Sequence, residues 1–476
     1  MGNEQSTAVI QLTKGKKSLV QFGAMCLTIS IACYGLALST LITPILENVN
    51  AMEYVGLFSV LGSLGITIMT PIGGKLGDIF GRKATIIVSG VACILFGIGI
   101  AYANTLLILM ICRIGLGISQ GAFMAAPYII VGVINEKKDV PKAMGLLATS
   151  LAIGGFGGSI VAGILTDFGA LELAILFPAI PLAIGVAIIG LLYPNDRNTN
   201  GKVKIDISGI ILLVIALSGI LLPLNFASTI GWTNPVILIG FAIGILFTII
   251  FVRVESKTEQ PLIPVRLFEE KKYLAFVIIS FICYVYRGAM DVYAPLGAIN
   301  VMGTSAATAG SLQFPRTIIT IFLPVLAGTW VAKKKTNMWK AMAYATALSG
   351  IPMLVMGFTT QSTSYVIVYY AAIAITGIAE SFRGVSTTPA AQLCLRAEDI
   401  GVGTALVNFA NSLASSMAAA LYGTIYGGFT AADATDVSLI QKGVNGVFLA
   451  AGAITLVGLA LVVFWVRPML EGEDKE

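Results

Sequence analysis

GGKLGDIFGRK, residues 73–83, stands between two long apolar runs. It holds four glycines, one acid and three basic residues in eleven positions. Such a stretch reads as a tight turn between two helices. Its glycines allow close helix approach. Asp78, with Arg82 and Lys83, can form a charge network at the helix ends. A merely basic loop would account for Arg82 and Lys83 but not for the full spacing.

What flanks the turn decides the class. The 476 residues are 57% hydrophobic and 11% charged, with a mean hydropathy of +0.91. A soluble chain of this size carries about a quarter charged residues. The composition therefore predicts a helical membrane protein. A helical span needs about 20 mostly apolar residues. Runs of that kind lie near 18–46, 52–74, 83–103, 105–133, 143–166 and 170–193. Two more, at 207–229 and 234–254, sit between polar stretches. Six follow, near 273–300, 306–332, 338–359, 363–394, 400–426 and 440–467. Fourteen spans are expected, with both termini in the cytoplasm. With that orientation, 24 of the 29 Lys and Arg residues fall in cytoplasmic loops and tails. Lys442 alone lies outside, and Arg113, Arg287, Arg316 and Arg383 lie inside spans. So strong a bias obeys the positive-inside rule.

Several chemistries lack their residues. There is no histidine, hence no imidazole base, zinc ligand or pH switch. The six cysteines fall in apolar runs and read as buried packing residues, not as disulfides or a metal site. No phosphate-binding loop motif occurs. An enzyme is not expected, nor a cofactor, a metal or a nucleic-acid partner. The expected partners are a small-molecule solute, protons and the lipid bilayer, and the chain is expected to be monomeric.

The chain also repeats itself. ISIACYGLALSTLITP (29–44) parallels ISFICYVYRGAMDVYAP (279–295), and GISQGAFMAAP (117–127) parallels GIAESFRGVSTTP (377–389). The halves are therefore expected to be parallel six-helix bundles at 18–193 and 273–467. A linker at 194–272 carries the inserted helix pair, and tails occupy 1–17 and 468–476. Parallel repeats of this kind place a solute site near the bilayer midplane and work by alternating access.

With these features in place, GGKLGDIFGRK resembles the loop 2–3 signature of the major facilitator superfamily. Gly74, Asp78, Gly81, Arg82 and Lys83 match its gating positions. Fourteen spans with an inserted pair resemble its drug:proton antiporter subgroup. The fifth span resembles that subgroup's packing motif through Gly145, Gly154, Gly158 and Gly163. Small residues four apart let helix backbones approach closely. The chain departs from the pattern at Ser159, where proline is expected, and at Ala162. Leu116 replaces a glutamine beside Arg113, and the first span holds no acid. The last two departures count against cationic drug export, whereas the fifth-span motif favours it.

The charges inside the spans carry the functional expectation. A charge at a helix centre costs about 2.5–3.5 kcal/mol on insertion scales, so each needs a partner or an aqueous cavity. Arg287 and Asp291 are four apart, and Glu380 and Arg383 three apart, spacings that allow pairing. Four Arg against two acids leaves a positive surplus. A guanidinium fork suits a carboxylate or phosphate. The expected solute site therefore comprises Arg113, Arg287, Arg316, Arg383, Gln120, Tyr284, Tyr286, Asn408 and Asn411. Without histidine, proton coupling would fall to Glu380, with Asp291 second. The expected activity is proton-linked secondary transport of a small organic solute, anionic or amphipathic. The alternative is a broad-specificity drug:proton antiporter.

Overall fold

A computed structural model describes residues 12–51, 54–195, 206–258, 261–396, 399–430, 433 and 435–471. The expected tails at 1–17 and 468–476, and the linker at 194–272, fall partly outside these residues. Among the described residues every regular element is helical. That follows from the apolar runs: in lipid a backbone must satisfy its own hydrogen bonds, and a helix does so within one segment.

The first half contains α1 (Lys14–Thr40), α2 (Val55–Phe80), α3 (Arg82–Ala101), α4 (Leu106–Ile134), α5 (Val140–Asp167) and α6 (Leu171–Leu192). The inserted helices are α7 (Ile207–Ile230) and α8 (Pro235–Glu255). Then come α9 (Lys271–Asn300), α10 (Thr308–Lys333), α11 (Thr336–Met356), α12 (Thr363–Leu393), α13 (Ile400–Thr430) and α14 (Val437–Glu471). Among the described residues, eleven helices contain a stretch long and apolar enough to cross a membrane. The other three long helices are α2, α11 and α13. Starts are marked locally. Thr105 caps α4 by accepting the Ile108 N–H at 3.4 Å, and Asp436 caps α14 by accepting the Ser438 N–H at 2.7 Å.

The chain forms two compact units. Unit 1 comprises Met1–Ser218, Ile243–Leu267 and Gln392–Phe409. In it α1 packs on α5 and α6, α2 on α4, and α3 on α4 and α6. Lipid gives no hydrophobic drive between helices, so close van der Waals packing must hold them. Glycine supplies it. A Cβ at Gly158 would stand 2.8 Å from Cys33 Cα, and one at Gly154 would strike the Ile29 backbone. Gly117 meets Gly62 in the same way, and Gly73 meets Ala122. Gly145 is buried, whereas Gly163 faces no atom within 4 Å among the described residues. The packing stripe of α5 thus runs on to buried Ala162 and leaves Gly163 off it. Leu27, Tyr34, Phe123 and Leu182 fill the core.

Unit 2 comprises Gly219–Ala242, Phe268–Ala391 and Ala410–Glu476. In it α11 packs on α14, and α9 packs on both. Tyr286, Met290, Tyr369, Tyr422 and Phe448 are buried at its centre. The units cut across the sequence halves. Residues 392–409 join unit 1, where Gln392 Nε2 donates to Tyr128 O and Thr404 Oγ1, each at 3.1 Å. The inserted pair is divided as well. Of the cysteines, Cys26, Cys33, Cys93 and Cys283 are buried as expected. Cys112 and Cys394 are only half-buried, and all six are free thiols.

Candidate functional site

Three helices of unit 2 bring five charges into one network. α9 supplies Arg287 and Asp291, α10 supplies Arg316, and α12 supplies Glu380 and Arg383. Arg287 Nε donates to Asp291 Oδ2 at 3.3 Å. Arg316 donates to the other oxygen, Oδ1, at 3.0 Å. On the opposite side, Arg287 stands 3.9 Å from Glu380 Oε1. Arg383 Nε donates to Glu380 Oε2 at 3.2 Å, and the Tyr286 hydroxyl donates to the same oxygen at 3.1 Å. The order is Arg316–Asp291–Arg287–Glu380–Arg383, three cations alternating with two anions.

Tyr284 ties the network together. The Arg383 guanidinium lies 4.6 Å from its ring centroid and that of Arg287 lies 5.6 Å away. Its hydroxyl accepts from Arg287 at 3.2 Å. Cation–π contacts of this kind contribute about 0.5–2 kcal/mol each. The network is graded in exposure. The side chains of Arg316 and Arg383 are 9% exposed, whereas those of Arg287 and Asp291 are 34% and 43% exposed. Beside it, Trp330, Tyr344 and Phe382 form an aromatic cluster with centroids 5.3–6.0 Å apart.

The backbone is irregular at this point. Ala289–Tyr293, which contains Asp291, is a π turn inside α9. Wider turns of this type recur at functional sites. The four-residue spacing of Arg287 and Asp291 therefore spans a junction and not a regular α-turn. Asn411 Oδ1 accepts the Ser280 hydroxyl at 2.8 Å and so pins α13 to α9.

The remaining expected solute ligands belong to unit 1. Arg113 donates from Nε to Phe58 O at 3.2 Å, with its guanidinium 4.8 Å from the Phe58 ring centroid. Gln120 is buried, and its Nε2 has no hydrogen-bond partner among the described residues. Asn408 Nδ2 donates to Thr404 O of its own helix at 3.1 Å.

The glycine-rich turn is also in unit 1. Gly81, with φ +91°, has a backbone that side-chain-bearing residues rarely adopt. Arg82 pairs with Asp78 at 2.9 Å, and Lys83 donates to Tyr193 O at 3.2 Å. The Asp78 carboxylate lies against Gly401, in the first turn of α13. There the positive helix end favours an anion. Gly74 lies against Ala405 of the same helix. Among the described residues, no group of three or more His, Cys, Asp or Glu could hold a metal ion.

Fold and site define a multi-pass helical membrane protein with a charge network built into one helical unit. The chain belongs to the Major Facilitator Superfamily, whose family model matches residues 22–419. It is 23% identical over 418 residues to the multidrug transporter protein MdtP of Bacillus subtilis, covering 87% of this chain and 76% of that one. It is 24% identical over 352 residues to citrate exporter 1 of Yarrowia lipolytica, covering 68% of this chain and 52% of that one. In fold it resembles the human organic anion transporter MFSD10 (TETRAN), with a TM-score of 0.63 and 13% identity, covering 94% of this chain and 100% of that one. The chain is thus a transporter of this superfamily and a multi-pass protein of the cell membrane.

Proposed function

We propose that the chain is a proton-linked secondary transporter of a small organic anion, whose charged group binds at the network of α9, α10 and α12. The observation that carries this is the surplus of Arg: three guanidiniums against two carboxylates in one continuous cluster, partly open at Arg287 and Asp291. A solute carboxylate or phosphate competes with Asp291 and Glu380 for the same forks. A carboxylate released by that competition is free to take a proton. Solute and proton binding are thereby linked at one site. Tyr284 and Tyr286 hold the Arg and Glu side chains in register. In this arrangement all fourteen helices span the membrane, both termini are cytoplasmic, and the two six-helix bundles alternate access. Sequence kinship alone does not choose the solute, because the relatives include a multidrug transporter and a citrate exporter.

The test is flux into proteoliposomes under an imposed pH gradient, with labelled organic anions and cations. Wild type is run beside Glu380→Gln and Arg316→Ala. Proton-dependent anion flux should appear in wild type and fall at least tenfold in both variants. Cation flux indifferent to Arg316→Ala would sink the anion assignment and favour a drug:proton antiporter.

A further inference from the structure

Asp206 and Glu255 belong neither to the charge network nor to the glycine-rich turn. Asp206 stands just ahead of α7 and Glu255 closes α8, so both mark one end of the inserted pair. Glu255 is 2% exposed. Its Oε2 accepts the Ile263 N–H at 3.0 Å. Asp206 Oδ1 accepts the Ser208 hydroxyl at 2.6 Å and the Gly209 N–H at 2.8 Å. The other two oxygens, Glu255 Oε1 and Asp206 Oδ2, are buried and find no donor among the described residues. Both lie against Gly209, and the two carboxyls are within hydrogen-bonding reach of each other. Any side chain at position 209 would collide with both.

Two ionised carboxylates do not share such a place. A buried acceptor without a donor costs about 1–3 kcal/mol, and like charges at this separation repel. One proton on either carboxyl satisfies both orphan oxygens and removes one charge. Among the described residues, the other charge acting on Asp206 is Lys75, near the end of α2. Besides Asp206, Glu255 meets the amides of Leu262 and Ile263.

We propose that Asp206 and Glu255 hold one proton between them and form a pH-sensitive latch on the segment that follows the inserted pair. Leu262 and Ile263, fastened by Glu255, are buried. Further along, Arg266 pairs with Asp399 at 2.8 Å, immediately before α13. Gly401, two residues beyond Asp399, receives the Asp78 carboxylate. All these residues belong to unit 1. The latch thus secures a strap whose far end grips the helix start where the glycine-rich turn docks. This assigns the inserted pair a role in the conformational cycle, apart from the solute site. The docked form holds the shared proton and the released form has lost it. Docking is therefore complete at low pH, and release gains about tenfold per pH unit between the titration of the released carboxyls and that of the docked pair, levelling off above it.

Hydrogen–deuterium exchange on the full chain in lipid nanodiscs tests this between pH 6 and pH 8, with rates corrected for intrinsic pH dependence. Exchange at the Leu262 and Ile263 amides should rise by up to about tenfold per pH unit in the lower part of the range and level off in the upper part. Peptides from Leu106–Phe123 should stay flat. Glu255→Gln offers an amide donor to Asp206 that does not titrate, so its profile at 262–263 should be flat. Asp206→Asn should flatten the profile likewise. A flat wild-type profile overturns the latch, as does a slope that persists in either variant. Should neither variant fold, the wild-type profile decides alone.

Discussion

Arg316 reaches Asp291 across 25 positions of sequence and is almost wholly buried. Its planar fork can hold two oxygens at once, which a lysine ammonium cannot do with fixed geometry. Arg316→Lys keeps the charge and loses the fork. The solute KM in proteoliposomes should rise about tenfold, or about 1.4 kcal/mol, with protein yield unchanged. An unchanged KM would remove Arg316 from solute binding. Spacing made part of this network legible. Arg287 with Asp291, and Glu380 with Arg383, could be paired from their positions alone. The links Arg316–Asp291, Arg287–Glu380 and Tyr286–Glu380 could not, because they join different helices. Periodicity within a helix says nothing about which helix lies beside it. Tyr284 was legible as a neighbour of the charges but not as the ring between two guanidiniums.

Helices follow the apolar runs closely, since run length and turn residues are local signals. The π turn at Ala289–Tyr293 was not legible, because nothing in AMDVY sets it apart from an α-turn. The small-residue stripe of α5 was legible as a packing motif, but its extent was not. Gly158 abuts the Cys33 backbone, while Gly163 meets nothing within 4 Å among the described residues. Gly158→Ala should therefore destabilise by about 1–3 kcal/mol through overpacking against α1. Gly163→Ala should stay within about 0.5 kcal/mol of wild type. Thermal unfolding of the two purified variants in the same lipid discriminates them. Equal loss in both would mean that α5 packs otherwise.

At the scale of the molecule, topology is the main expectation that the apolar runs and charges carry. In a cysteine-free background, Lys442→Cys should react with a membrane-impermeant maleimide on intact cells. Lys335→Cys and Lys257→Cys should react only after permeabilisation. Labelling of Lys335→Cys on intact cells would invert the orientation or change the span count. The division into compact units was not legible at all. It depends on Arg266 finding Asp399 and Gln392 finding Tyr128, pairs far apart in sequence. The π turn of α9 has a mechanical consequence for the whole. α9 holds buried residues on both sides of its one wide turn, which lies past its midpoint, where Asp291 meets two guanidiniums. A straight rod must drag its anchored ends whenever its centre rotates. With one wide turn in α9, a twist at the charged turn should be taken up locally, leaving both ends seated.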